Sequence, residues 1–275
     1  MPKGCTSQIQ EKVGSSRGSK RARAAAPLRL PSPSWSIPEL RFNPLGADIT
    51  LVALHQNRLA HCTLHPEEAS LLRGNVATKR WNDFVLGRAA ARLALIGAGV
   101  RNPSPVLQGS GREPVWPQKI VGSITHCEPW AIAAVANNKS VEALGIDLEN
   151  VQDVPHEEIA GMVCSDSERE WVFASGDNQL KLAMIFSAKE AIYKALYPLC
   201  KKFFDFHAVE LTWFPQSNQF RGILLVDLSS KLPKGYRFKV GCQKRATFVF
   251  AHAIVTERAL VSEDAQELQR HLLSA

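Results

Sequence analysis

Asp147 and Glu149 stand two residues apart in the stretch Leu144-Gly-Ile-Asp-Leu-Glu-Asn150. Gly145 to Glu149 reads as a short buried strand carrying two acids where a core strand should carry none. Side chains alternate faces in an extended segment, so Ile146 and Leu148 can face a core while both carboxylates converge on one spot. Like charges roughly 6–7 Å apart along a strand repel unless something positive sits between them. A hard divalent cation is the economical partner, and Mg2+ is typically held by one or two carboxylates plus substrate phosphates. An edge strand with two solvated acids has the same spacing, so the reading depends on the company these residues keep.

That company begins in Phe186-Ser-Ala-Lys-Glu-Ala-Ile-Tyr-Lys194. Glu190 and Lys194 are i, i+4, a pairing worth only about 0.2–0.5 kcal/mol on a helix surface. Ser187-x-x-Glu190 also fits a capping box. Lys189 and Lys194 are five apart and not on one line, yet both could reach a ligand lying across the helix. A second basic line is Arg80, Arg88 and Arg92, at multiples of four and therefore near one helix face. Gly87 interrupts that helix at about 1 kcal/mol relative to Ala, which implies that something approaches the backbone closely beside Arg88. The stripe is either a solvated face or an anion clamp. Thr125-His126 at a strand end could donate to a phosphate, or His126 could be an ordinary structural histidine. Taken together, paired acids, a Lys-Lys-Glu helix, a basic helix face and a Thr-His turn describe a metal-bridged polyanion site.

The elements that must position these groups follow from periodicity. Asp48 to His55 reads as a strand with a polar turn at Gln56–Arg58, and Pro66 with its acids starts a short helix. Trp81, Phe84, Val85, Ala91 and Leu95 recur at helical spacing over Thr78–Gly97, and Gly97-Ala-Gly99 ends that helix. Residues 102–118 are a Pro/Gly-rich connection containing Arg112. Gly122 to His126 is a strand end, followed by a polar turn and an apolar strand or short helix over Ala131–Ala136. The 144–150 strand closes the first half. Ser165-Asp-Ser-Glu168 is a capping-box pattern within polar, partly helical sequence, and a strong helix spans Gln179–Tyr197. The runs Ala208–Phe214, Phe220–Val226, Tyr236–Cys242 and Thr247–Val255 predict an antiparallel sheet. A polar helix near Glu263–Leu273 closes the chain. Each half offers a long helix and short strands, and Phe84-Val-Leu-Gly-Arg-Ala beside Phe186-Ser-Ala-Lys-Glu-Ala hints at an internal duplication.

The chain has 275 residues and a net charge of +7, but residues 1–38 hold seven bases against one acid and supply +6 of it. The body is thus nearly neutral, which argues against a nucleic-acid surface. The Pro-, Ser-, Gly- and Ala-rich tail reads as disordered, or as an over-long start to the reading frame. No apolar run approaches the roughly 20 residues of a membrane span, and the tail lacks the form of a secretory signal. Six cysteines without a C-x-x-C pair exclude a zinc ribbon or disulfide framework and predict a reduced, cytoplasmic protein. His61 and His65, i, i+4 without a further Cys/His pair nearby, read as an ordinary loop.

In order along the chain, Lys79-Arg80…Phe84…Gly87-Arg88, Gly111-Arg-Glu-Pro-Val-Trp-Pro117, Gly122-Ser-Ile-Thr-His126, Gly145-Ile-Asp-Leu-Glu149 and Phe186-Ser-Ala-Lys-Glu-Ala-Ile-Tyr-Lys194 closely resemble the 4′-phosphopantetheinyl transferases of the surfactin and enterobactin synthetase type. The resemblance spans about residues 79–194. It implies an α+β fold: a pseudo-twofold pair of similar α/β subdomains, each with a small, mostly antiparallel sheet packed on a long helix, and the active site at their interface. The corresponding division is a basic tail over 1–40, subdomains over 41–150 and 151–260, and a C-terminal helix over 261–275. It also implies transfer of phosphopantetheine from coenzyme A to a serine of an apo acyl, peptidyl or aryl carrier protein, with release of adenosine 3′,5′-bisphosphate, by a monomer that uses neither nucleic acid nor membrane. By the same resemblance Asp147 and Glu149 bind Mg2+ on the pyrophosphate. Glu190 completes the metal shell, acts as general base on the carrier serine, or does both. Arg80, Arg88, Arg112, Thr125, His126, Lys189 and Lys194 hold coenzyme A, with His126 near its 3′-phosphate. Two other classes share part of the inventory, a metal-dependent nuclease and a non-catalytic coenzyme A or carrier-binding module.

Overall fold

The computed structural model describes residues 48–256 except 73, 75, 155 and 156. The expected basic tail and the C-terminal helix lie outside the described residues. In chain order the elements are β1 (Ile49–His55), α1 (Pro66–Ala69), α2 (Thr78–Gly97), β2 (Leu107–Gln108), β3 (Pro114–Val115), β4 (Ile120–Cys127), β5 (Trp130–Asn137) and β6 (Ala143–Asn150). There follow α3 (Glu157–Val163), α4 (Asp166–Phe173), α5 (Asn178–Cys200), β7 (Val209–Phe214), β8 (Gln219–Leu224), β9 (Arg237–Arg245) and β10 (Phe248–Val255). The Pro/Gly-rich connection thus contains a small ribbon, β2–β3, and the apolar run after the polar turn is a strand, β5.

The strands form a sheet of order β1-β5-β4 and a second of order β6-β10-β9-β8-β7, every pair antiparallel. Replacing β1 by β6, β5 by β10 and β4 by β9 turns the first order into the start of the second. In each half the first strand is followed by short helical segments, a long helix and the remaining strands, with two short helices, α3 and α4, in the second. The two halves are therefore similar and pseudo-twofold in design. β6, expected to close the first half, is hydrogen-bonded to β10, with Asp147 opposite Ala251. Alternation along a strand fixes which faces its side chains take but not which neighbour it pairs with.

Helix α2 packs on β1, β4 and β5, and α5 on β6, β9 and β10. A third apolar layer lies between the sheets, where Ile49, Ile132 and Ala134 meet Ile146, Leu148 and Phe250. At the seam, side-chain hydroxyls of β4 take the place of a ladder strand. Ser123 Oγ accepts from Ile146 N at 3.1 Å and Thr125 Oγ1 accepts from Leu148 N at 3.2 Å. These bonds satisfy buried N–H groups on the open edge of β6.

A repeated ion pair sets the roll of each long helix. Glu68 in α1 accepts from His65 N at 2.9 Å, from Val106 N at 2.9 Å and from Arg92 Nη2 of α2 at 2.8 Å. Glu168 in α4 accepts from Ser165 N at 2.7 Å, from Leu211 N at 2.7 Å and from Lys189 Nζ of α5 at 2.7 Å. Both glutamates are 1% exposed. The same carboxylate clamp, built in each half, supports the duplication, but it matches Arg92 with Lys189. The Phe84 and Phe186 lines would instead match Arg88 with Glu190, five residues out of that register.

Candidate active site

The paired acids sit where β6 lies directly on α5, and a glycine makes that approach possible. A Cβ on Gly145 would stand 1.9 Å from Ala191 O and 2.6 Å from Ala195 N, both helix backbone. Gly145, Asp147 and Glu149 share one strand face, so the carboxylates also point toward α5. One turn of helix separates Glu190 from Lys194, and both lie on the side of α5 that meets β6. Ser187 is inside α5, so Ser187-x-x-Glu190 is no helix cap.

Asp147 is 2% exposed. Its Oδ1 accepts from Lys194 Nζ at 2.6 Å and from the Thr125 hydroxyl at 3.2 Å. Lys194 Nζ also lies 3.4 Å from Thr125 Oγ1. Asp147 Oδ2 is buried without a hydrogen-bond partner. Burial and then the Asp147 charge push Glu149 up to about 8. Glu190 is raised by burial, with Lys194 opposing and Asp147 reinforcing. Burial would lower the Lys194 ammonium, but Asp147 and Glu190 outweigh it and hold it above its ordinary value. Three carboxyl groups thus act on one another around one ammonium, short of positive charge. Among the described residues, however, no group of three His, Cys, Asp or Glu side chains is close enough to hold a metal ion. The orphaned Oδ2 and the protonation-prone Glu149 fit a cation held by two carboxylates and completed by ligand oxygens, rather than a finished three-carboxylate cage.

The other predicted residues divide. His126 follows Thr125 on β4 and faces α2, its Nδ1 3.5 Å from Asp83 Oδ2. Burial lowers its pKa, against the pull of Asp83. Lys79 reaches Asp83 at 3.7 Å and Glu128 at 3.4 Å, and Arg80 is exposed beside it. Arg88 is 6% exposed, its guanidinium 4.4 Å from the Phe84 ring centre and its Nε buried without a partner. Burial brings its pKa down to about 10, with Glu68 opposing. The close neighbour expected at Gly87 is Ile124 of β4, 3.1 Å from a built Cβ, so that glycine serves helix–sheet packing. Arg112 is exposed in the turn between β2 and β3, where φ is +66°. This turn is tied to the far end of α5 by Lys201 Nζ to Glu113 Oε1 at 2.6 Å.

Lys189 does not join the site. Its Nζ donates to Glu168 Oε2, to Val163 O at 2.8 Å and to Phe206 O at 2.9 Å, and its side chain is 1% exposed. An ammonium has three protons, so all are used inside the protein. Positions 189 and 194 are about 140° apart around the helix, which sends them to different sides. Asp83 and Glu168 are the residues that sequence reasoning did not assign. Glu168 was visible only as a cap, because its partner Leu211 is distant in sequence; Asp83 carried no signal.

Comparison with known proteins identifies the family. A family profile described as "4′-phosphopantetheinyl transferase N-terminal domain" matches residues 67–136, and one described as "4′-phosphopantetheinyl transferase superfamily" matches residues 143–240. The 4′-phosphopantetheinyl transferase Svp of Streptomyces mobaraensis is 35% identical over 197 residues, covering 70% of this chain and 74% of that protein. The 4′-phosphopantetheinyl transferase PptT of Mycobacterium tuberculosis is 36% identical over 162 residues, covering 57% and 68%. Enterobactin synthase component D of Salmonella typhi is 35% identical over 119 residues, covering 42% and 48%.

Proposed function

This chain belongs to the 4′-phosphopantetheinyl transferase superfamily, and from that premise we propose how its residues divide the work. The enzyme transfers the 4′-phosphopantetheine group of coenzyme A to a serine of an apo carrier protein. The observation that carries the site assignment is the 2.6 Å contact between Lys194 Nζ and Asp147 Oδ1, beside a buried Oδ2 that has no partner. A buried carboxylate oxygen without a partner, next to a second acid, suits a divalent cation that also meets the oxygens of a pyrophosphate.

In this reading Asp147 and Glu149 would hold Mg2+, which would neutralise charge on the pyrophosphate. Glu190 takes the proton of the carrier serine, burial having raised its pKa and so made it a stronger base than an ordinary carboxylate. The serine oxygen bonds to the β-phosphorus as the bond to the leaving phosphate breaks, and adenosine 3′,5′-bisphosphate departs. Lys194 meets the charge that builds on the leaving oxygen. Positioning and electrostatics supply most of the catalysis in phosphoryl transfer, so no covalent enzyme intermediate is needed. Thr125 holds Asp147 Oδ1 in place, directing Oδ2 toward the ligand. Arg80, Arg88 and His126 line the α2 side and take the coenzyme phosphates; the unpartnered Nε of Arg88 supports that role. The halves meet functionally at the β4–β6 seam, near residue 142 rather than 150, since β6 is bonded into the second sheet. Among the described residues no helix is long and apolar enough to cross a membrane. The free thiols of Cys62, Cys127, Cys164, Cys200 and Cys242 support a reducing, cytoplasmic setting for the enzyme.

The test is intact-mass measurement of apo acyl, peptidyl and aryl carrier proteins after incubation with the enzyme, coenzyme A and Mg2+. A gain of one phosphopantetheine on at least one carrier, abolished by chelation and in folded Asp147→Ala and Glu149→Ala variants, is the expected result. No gain on any carrier would overturn the function; gain unaffected by chelation or by either substitution would overturn the metal assignment.

A further inference from the structure

The acceptor serine belongs to a folded protein, so the surface around Glu190 must receive that protein and not only a coenzyme. The body of this enzyme carries almost no net charge, which leaves the work to a local patch. One such patch begins at the site itself. Tyr193 stands between Glu190 and Lys194 in sequence, and its ring stacks on Tyr197 at 5.5 Å between centroids. The chain leaves α5 at Lys201, whose φ of +52° turns it back along the helix. The turn brings Phe203 to 6.1 Å and Phe204 to 5.0 Å from the Tyr193 ring.

Phe204 is buried, but Phe203 is 81% exposed, the most exposed of the large apolar side chains among the described residues. Leaving a phenyl ring in water forgoes the stabilisation that burial gives, and this one is continuous with the Tyr193–Tyr197 stack beside the site rather than isolated. Bases outnumber acids in its surroundings, where Lys201, Lys202 and Arg112 stand against Glu113 and Asp205. Lys201 and Lys202 precede it, and Arg112 occupies the β2–β3 turn that Lys201 grips through Glu113. Gly111 in the same turn lies against Tyr197, so close that a Cβ would meet its hydroxyl at 1.9 Å. The turn and the end of α5 therefore form one surface, continuous through Tyr193 with the reacting groups. Buried on the other side, Lys189 fixes the loop from beneath by its bond to Phe206 O.

We propose that Phe203, with Lys202 preceding it and Arg112 in the turn held to the same end of α5, is the carrier-protein docking site, and that it accepts an apolar side chain set among acidic residues near the acceptor serine. This rests on the transferase reading above. An aromatic anchor ringed by polar groups is the form that binding hot spots take, and the cations speed encounter with an acidic face. Arg112, in the turn held to the far end of α5, then serves the carrier more than the coenzyme.

The test uses the full-length enzyme, coenzyme A and an apo carrier that the wild type modifies; absence of wild-type modification would fault the transferase reading and not this one. Phe203→Ala should raise the carrier KM about tenfold or more while the coenzyme A KM and the kcat at saturating carrier stay within twofold. Lys202→Glu should raise the carrier KM at low salt and lose that effect at high salt. Circular dichroism and Tm should match wild type for both, since neither side chain is buried. A carrier KM within twofold of wild type for Phe203→Ala overturns the proposal. So does an equal rise in the coenzyme A KM, or a wild-type dimer that Phe203→Ala dissociates without changing the carrier KM.

Discussion

Replacing Lys189 by Met separates its structural role from a ligand-binding one. The substitution keeps the aliphatic stem and removes an ammonium that meets Glu168, Val163 O and Phe206 O at 2.7–2.9 Å. Glu168 would retain its two backbone donors, Ser165 N and Leu211 N, but its charge would be buried without a counter-ion. Removing one member of a buried pair costs about 3–5 kcal/mol. For a domain of this size each kcal/mol moves Tm by about 2–4 °C, so a fall of about 6–20 °C is expected. Differential scanning fluorimetry measures that fall, and initial rates at a temperature well below the lowered Tm measure the coenzyme A KM, which should stay within about twofold. A tenfold rise in that KM with an unchanged Tm would refute the reasoning and return Lys189 to the coenzyme site.

Gly145→Ala should push β6 from α5, because its Cβ would land on the backbone of Ala191 and Ala195. We expect about 1–3 kcal/mol of destabilisation and a kcat/KM loss of about a hundredfold, as Lys194 loses its place against Asp147. Gly161→Ala, with open space around the built Cβ, is the control and should be neutral or slightly stabilising. The pH dependence of the metal-free protein should carry the signature of Glu149. Its folded-state pKa is about 8, while the unfolded chain releases the proton near 4.5, so the folded state holds more protons between those values and stability falls as pH rises through that window. The Tm difference between wild type and Glu149→Gln, taken in EDTA from pH 5 to 8.5, should shrink or reverse in that direction, and Mg2+ should flatten it; a difference independent of pH would contradict the assigned environment.

Local pattern made α2, α5 and the two acids of β6 legible, because periods of 3.6 and 2 are properties of a short segment. The same pattern could not tell that β6 joins β10, since pairing is decided by a strand about a hundred residues away. Gly87 shows an intermediate case: the close approach was readable, but the approaching group, Ile124, was not. The direction of Lys189 was hidden for a related reason. Proximity to Glu190 in sequence suggested a shared ligand, whereas the helix turns position 189 toward an acid that looked like nothing more than a cap. At the candidate site, the order of motifs picked out Asp147 and Lys194, which the structure brings into contact, while the bond from Thr125 to Asp147 Oδ1 and the unpartnered Oδ2 are visible only in the side-chain contacts.

The twin carboxylate clamps give this enzyme two kinds of vulnerability. Each clamp closes within its own half, joining a short helix, the long helix and the chain that follows, so each half carries the information for its own assembly. The proposed site belongs to neither half, because Thr125 comes from one and Asp147 and Lys194 from the other. Damage at Glu68 or Glu168 would therefore be felt as scarcity, too few molecules reaching the native state. Damage across the β4–β6 seam would instead leave an abundant protein that does nothing. A screen that scores abundance and turnover separately would sort the two sets of positions apart.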